Sequence, residues 1–227
     1  MRVLIPSVNP YLADTIFFPV SGAPIIASVL VLNSSASGPD SVSRQLVQTT
    51  VDQLRGKDAS LRVVERDLDA NPVPHLNVET TAALRANQTA TAAQVAARAF
   101  SDALIAELQA ADTIVIGAPM YNFGIPSTLK AWFDYVLRAG LTFRYSEAGP
   151  EGLVTGKRAI VVLSRGGLYS SGPAQPMDSQ EPHLRTMLGF MGVTDVTFIR
   201  AEKLGYGPEA RQQAINDAQA ELAKVAA

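Results

Sequence analysis

The sequence predicts an α/β protein: a doubly wound sheet of five parallel strands in the order 2-1-3-4-5, with helices on both faces. Three observations point there. Short continuous apolar runs at residues 29–32 (VLVL), 113–116 (TIVI) and 158–163 (RAIVVL) have the pattern of strands buried on both sides of a parallel sheet. Stretches with apolar residues at helical spacing separate them, most plainly at Leu129, Trp132, Phe133, Val136 and Leu137, which read as core positions of a helix. Each central strand runs into a loop rich in Ser, Gly, Pro or aromatic residues, where an open α/β sheet binds its ligands.

Residues 1–27 carry prolines at 6, 10, 19 and 24, which block a long helix. Asn9, Pro10, Asp14 and Pro19 also interrupt any apolar core of a secretory signal. This stretch is expected to be a poorly ordered N-terminal extension to a domain over residues 28–227. The first strand, 29–32, leads into the serine-dense loop 33–43 (NSSASGPDSVS) and a helix over 43–54. Two readings fit that loop: a phosphate cradle, in which hydroxyls and the free N–H groups of the first helical turn converge, or a plain cluster of capping serines. Residues 61–66 (LRVVER) read as a second strand at the sheet edge, and 67–87 as an irregular segment long enough for a binding loop. An Ala-rich helix over 91–110, with Val95, Phe100, Leu104 and Leu108 on one stripe, feeds the central strand.

After that strand, Gly117, Pro119, Gly124 and Pro126 break any regular element. Between them Met120, Tyr121, Asn122 and Phe123 form a loop too apolar and aromatic for a solvated connection, and Pro126 suits the first turn of the next helix. Residues 139–156 are rich in Gly and polar residues but carry Phe143 and Tyr145. The fourth strand, 158–163, ends in Ser164, Arg165, Gly166 and Gly167, either a tight turn or a place where backbone must come close to something. A helix over 181–190, a strand over 196–199 and a helix over 209–225 complete the series.

Composition removes several function classes. The 227 residues carry a formal net charge of -2, against the basic excess that nucleic acid binding draws on. With 0 Cys, disulfides, Cys-ligated metals and a thiol nucleophile are excluded. The 2 His, His75 and His183, lie too far apart in sequence to suggest a metal site. No apolar run is long enough to span a bilayer, so no membrane partner and a cytoplasmic location are expected. The G-x-S-x-G elbow of a serine hydrolase is missing. Both G-x-G-x-x-G and the Walker pattern are missing too, which disfavours a dinucleotide or a nucleoside triphosphate as the tightly held ligand. Hydroxyls after strand one, an aromatic surface after strand three and bare backbone after strand four suit a mononucleotide flavin, FMN.

The stretch APMYNFGIPSTLKAWFDYVLRAGLTFRY, followed by GPEGLVTGKRAIVVLSRGG, closely resembles the FMN-dependent azoreductases, and the resemblance runs from about Ser28 to the C-terminus. It implies a flavodoxin-like fold and a dimeric enzyme that passes electrons from NADH or NADPH to quinones and azo dyes, with FMN held tightly but non-covalently; a single opening over the ring, shared by a flat nucleotide and a flat acceptor, is expected to make the kinetics double-displacement. By the same resemblance, Ser35, Ser41, Val42 and Ser43 match the phosphate loop. Met120, Tyr121, Asn122 and Phe123 match the loop at the flavin ring, and Ser164, Arg165, Gly166 and Gly167 the loop at its pyrimidine edge. Tyr145 and Phe190 fall where aromatics cover the substrate side, in a pocket built from both subunits. No side chain is implied as acid or base, since the flavin carries the hydride. Lys203 stands where similar sequences usually show Gly. The rival readings are a flavodoxin-type electron carrier and a regulatory quinone reductase of the same fold. A preference for NADPH would call for a cation at the 2′-phosphate, for which Arg85, Arg165 and Arg185 are candidates.

Overall fold

Residues 27–225, which this computed structural model describes, form one five-stranded parallel sheet, a separate two-stranded hairpin and six α-helices. The expected N-terminal extension, apart from Ala27, lies outside the described residues. The sheet strands are β1 (Ser28–Asn33), β2 (Arg62–Asp67), β3 (Thr113–Pro119), β6 (Arg158–Ser164) and β7 (Asp195–Ala201), in the spatial order β2-β1-β3-β6-β7. The register sets Asn33 opposite Gly117 and Pro119 opposite Ser164, so the carboxyl ends of the three central strands open on one edge.

Alternation along each strand divides the core in two. Val29, Val31, Val115, Ile160 and Val162 pack with Leu46 and Val47 of α1 (Val42–Lys57) and with Ile215 and Leu222 of α6 (Pro208–Val225). Leu30, Leu32, Ile114, Ile116 and Val161 form the second layer. Their partners are Leu104 and Leu108 of α3 (Ala92–Ala110), Trp132 and Phe133 of α4 (Ser127–Val136), and Leu184 and Leu188 of α5 (Glu181–Met191). Each such side chain contributes about 1.5–3 kcal/mol when removed from water. Trp132 and Phe133 are core residues, meeting edge to face at 5.0 Å. None of the described helices is long and apolar enough to cross a membrane.

Three local expectations are corrected and one element is added. The segment 67–87 is not wholly irregular, for α2 (Val78–Arg85) lies within it. Its start is a reciprocal cap: Thr80 N–H donates to Asn77 Oδ1 at 2.9 Å and Asn77 N–H donates to Thr80 Oγ1 at 2.8 Å, satisfying two donors that a helix start leaves open. Val95 is off the buried stripe of α3, at 51% exposed, while Ala97, Ser101, Leu104, Ile105 and Leu108 form it. Val95 and Leu104 are about two and a half helical turns apart and so face opposite ways. Pro126 stands at the N-cap of α4, one place before its first turn. Finally, residues 139–156 contain an antiparallel hairpin of β4 (Phe143–Ser146) and β5 (Gly149–Gly152), docked on the end of α5, where Val154 N–H donates to the Met191 carbonyl at 2.8 Å.

Candidate functional site

Beyond β1 the chain turns through Ser34 to Ser41 before α1 begins. Ser41 caps the helix, its Oγ accepting from Arg44 N–H at 3.2 Å, and it also lies 3.2 Å from Ser43 Oγ. Both serines are buried, as is Ser35. Arg44 grips the loop from behind, pairing with Asp67 at 2.7 Å and reaching the Ser35 carbonyl at 3.4 Å. The hydrogen bond from Arg44 holds the Asp67 carboxyl below its usual range. The loop is thus a fixed set of hydroxyls at the positive end of a helix, an arrangement that favours an anion.

Facing it is the loop after β3. Tyr121 and Gly124 exchange both backbone hydrogen bonds at 3.1 Å, and the two residues between them, Asn122 and Phe123, have φ of 47° and 72°. A two-residue turn with both central residues left-handed is common for Asn-Gly and costly for a Phe. Strain of this kind persists where surrounding contacts over-determine it. Here the Phe123 carbonyl accepts from Ser179 N–H at 3.0 Å and its ring meets Tyr169 edge on at 6.1 Å. The Tyr121 phenol reaches across to the serine loop, accepting from Ala36 N–H at 3.0 Å and lying 3.4 Å from Ser35 Oγ. Burial pushes this phenol up, but the hydrogen bonds with Ser35, Ser37 and Ala36 outweigh that and bring it below its ordinary value.

The third loop is built on Arg165, whose side chain is fully buried. Its guanidinium donates to Gln180 Oε1 at 2.9 Å and pairs with Asp178 at 2.9 Å and Glu202 at 3.1 Å. Gln180 in turn donates to the Ala118 carbonyl at 2.9 Å, tying this network to the end of β3. Glu202 accepts from the N–H groups of Tyr169 and Ser170 at 2.9 and 3.0 Å. Burial raises the Glu202 carboxyl, but its bonds to Ser170, Tyr169 and Arg165 bring it below the usual range. The Gly166 and Gly167 carbonyls accept from Gly205 and Lys203, whereas among the described residues neither glycine N–H donates to a backbone carbonyl.

The three loops line one cavity of about 150 Å³ at the carboxyl edge of the sheet. It brings together Ser35, Ser41, Val42, Met120, Tyr121, Ser164, Arg165 and Gly166, of which Arg165 keeps its guanidinium engaged elsewhere. Ser43 sits behind Ser41, Asn122 and Phe123 form the tip beyond the cavity, and Gly167 lies against the Tyr169 ring. Tyr145 and Phe190 are not among the lining residues. Tyr145 is 74% exposed on the hairpin, and Phe143 connects the two, 5.6 Å from Tyr145 and 4.7 Å from Phe190 between ring centres. Sequence reasoning missed Ser37, Asp40, Pro119, Leu204 and Arg211 as lining residues. Ser37 was within reach, being one more hydroxyl of the same loop. Leu204 and Arg211 come from the other end of the chain and carry no local signal.

Lys203 explains its own departure. Its φ is 62° while its N–H donates to the Gly167 carbonyl at 2.9 Å, so the turn that positions the glycines needs a left-handed residue. Lys203→Gly removes a steric penalty of about 1–2 kcal/mol, partly offset by the greater freedom of glycine when unfolded. The expected result is a stabilisation of up to about 1 kcal/mol in denaturant unfolding, with no loss of flavin affinity.

A family described as having a flavodoxin-like fold matches residues 27–226. The chain is 58% identical over 201 residues to an FMN-dependent NADH:quinone oxidoreductase of Hyphomonas neptunium, covering 88% of this chain and 96% of that protein. It is 48% identical to FMN-dependent NADH:quinone oxidoreductase 2 of Pseudomonas fluorescens, covering 88% of this chain and 100% of the other. Among solved structures, an azoreductase from Bacillus anthracis superposes with a TM-score of 0.82 at 29% identity, covering 88% of this chain and 99% of its own.

Proposed function

The chain belongs to the family with the flavodoxin-like fold, and from that premise we propose that it is an FMN-dependent NADH oxidoreductase that reduces quinones and azo compounds. The single observation that carries this reading is the shared cavity, in which buried hydroxyls, an aromatic loop and a glycine turn meet at the carboxyl ends of β1, β3 and β6. When bound, FMN supplies the chemistry, accepting a hydride from the nucleotide and passing two electrons to the acceptor. The order β2-β1-β3-β6-β7, with helices packed in two layers, supports a doubly wound sheet whose five strands run 2-1-3-4-5.

The chain's residues fit that cofactor by chemistry. Ser35, Ser41 and Ser43, with the first N–H groups of α1, would hold the phosphate. The strained Met120–Phe123 loop would offer apolar surface to the ring. The N–H groups of Gly166 and Gly167, set at no cost in reorganisation, would stabilise negative charge at the pyrimidine edge. Arg165 acts through its backbone and as the buried anchor of the turn. NADH fits better than NADPH, since each candidate for a 2′-phosphate is engaged. Arg165 is buried among acids, Arg185 pairs with Glu181 at 2.7 Å, and Arg85 donates to the Leu137 and Asp134 carbonyls.

The same reading makes the protein a cytoplasmic homodimer. Tyr145, exposed and backed by Phe143, is an aromatic face suited to completing the pocket from a second subunit. A bound flavin open on one side only would make nucleotide and acceptor, both flat, take turns at the same face, which is the reading of double-displacement kinetics. The domain so defined begins near Ser28, with residues 1–27 as an appendage to it.

Changing Ser41 and Ser43 together to Ala tests the assignment. FMN retention is expected to weaken by about 1 kcal/mol or more per charge-assisted hydrogen bond removed. Loss of the Ser41 cap also lowers stability by about 1 kcal/mol, so binding is read well below the unfolding temperature. A double variant that holds FMN as tightly as the parent would place the phosphate elsewhere.

A further inference from the structure

The cavity contains a cation that the serine loop does not supply. Arg211, in the first turn of α6, lines it together with Ser35, Ser37, Ser41 and Asp40. Two arginines line this space. The Arg165 guanidinium is engaged by Asp178, Glu202 and Gln180. Arg211 makes a single long hydrogen bond, to the Asp40 carbonyl at 3.3 Å, and no ion pair among the described residues.

Its position on the helix is unfavourable in itself. The first turn of a helix carries partial positive charge, which favours acids and disfavours a guanidinium. An arginine there, reaching across to the start of α1 and holding only a carbonyl, is poorly explained by fold stability. The chemistry of the cavity accounts for it. A phosphate monoester brings close to two negative charges, and the acidic residue Asp40 is itself among those lining the cavity. The hydroxyls of the loop carry no charge, and the end of α1 offers about half of one.

We propose that Arg211 is the cation of the phosphate subsite: it exchanges the Asp40 carbonyl for a phosphate oxygen and makes the site select phosphorylated over unphosphorylated flavin. This rests on the reading that FMN binds in the serine loop and adds to it a specificity residue from the far end of the chain. The exchange breaks one hydrogen bond from the guanidinium to a neutral carbonyl and forms one to a charged phosphate oxygen, which is shorter and stronger.

The test is titration of the full-length protein, stripped of flavin, with FMN and with riboflavin, for the parent, Arg211→Gln and Arg211→Lys. Arg211→Gln is expected to weaken FMN about ten- to a hundredfold and to flatten its dependence on salt, with riboflavin unchanged. Arg211→Lys should recover part of the FMN affinity, because it restores the charge without the fork. FMN and riboflavin weakened equally, or neither weakened, would overturn the proposal. Those results differ from failure of the underlying reading, in which the parent itself binds FMN no more tightly than riboflavin.

Discussion

Gly152→Ala is expected to lower the unfolding temperature by roughly 6–12 °C, equivalent to about 3 kcal/mol for a domain of this size. A methyl group on Gly152 would meet the backbone of Met191 and Gly192 closer than carbon atoms can approach. Backbone at the end of a helix cannot step aside as a side chain does. Gly192 is already left-handed, with φ of 98°, and caps α5. The hairpin must therefore lift from α5, breaking the bond from Val154 N–H to Met191 and separating Phe143 from Phe190. Tyr145 moves with it. The control is Gly189→Ala, three residues before Gly192 in the same helix, where an added methyl meets nothing within 4 Å. That change is expected to be neutral or stabilising by about 0.5–1 kcal/mol. Equal behaviour of the two variants in thermal unfolding would refute the packing argument.

Arg165→Ala is expected to cost still more in affected chemistry, at about 3–5 kcal/mol of stability near neutral pH. It leaves Asp178 and Glu202 without their shared cation and frees Gln180 from one of its anchors. Glu181 keeps Arg185 and Arg200, both at 2.7 Å. Lysine is a poor substitute, since one ammonium cannot meet three partners in a plane. The effect depends on pH with a definite sign. In the parent, Glu202 sits below its ordinary value, so its contribution is present above the usual carboxylate range and is lost as pH falls through its lowered folded value. In the variant the same carboxyl loses the lowering effect of Arg165 and sits higher than in the parent, although its bonds to Ser170 and Tyr169 remain, so acid costs the variant less. The difference between parent and variant should therefore shrink from pH 7 towards pH 4 in denaturant unfolding. A small deficit, flat with pH, would mean that the buried acids do not depend on Arg165.

What could be read from the sequence follows from where each element is buried. Strands β1, β3 and β6 are covered on both faces, and two-sided burial writes itself as an unbroken apolar run. The strained loop was legible as chemistry because Met120 to Phe123 are too apolar for open solvent, although the left-handed pair at Asn122 and Phe123 has no signature beyond the Asn. The serine loop admitted two readings that do not exclude each other, for Ser41 caps α1 and also lines the cavity. α2 was hidden because its start depends on the Asn77–Thr80 exchange and Val78, in its first turn, faces solvent. The hairpin was hidden because Gly149-Pro150-Glu151-Gly152 reads as turn, and only the close approach of Gly152 to α5 gives it a place. Arg165 looked like a loop residue facing a ligand. Its burial comes from acids at 178 and 202, which no local pattern connects to it.

The central claim is that three loops at one edge of the sheet hold FMN for reduction by NADH. Its most direct measurement is an anaerobic titration of the purified protein with NADH, followed by release and identification of the cofactor. The account predicts FMN bound one to a chain, complete loss of its oxidised visible absorption on adding NADH with no acceptor present, and recovery on adding a quinone. A protein that neither carries nor takes up FMN, or one whose bound FMN stays oxidised in excess NADH, would contradict it.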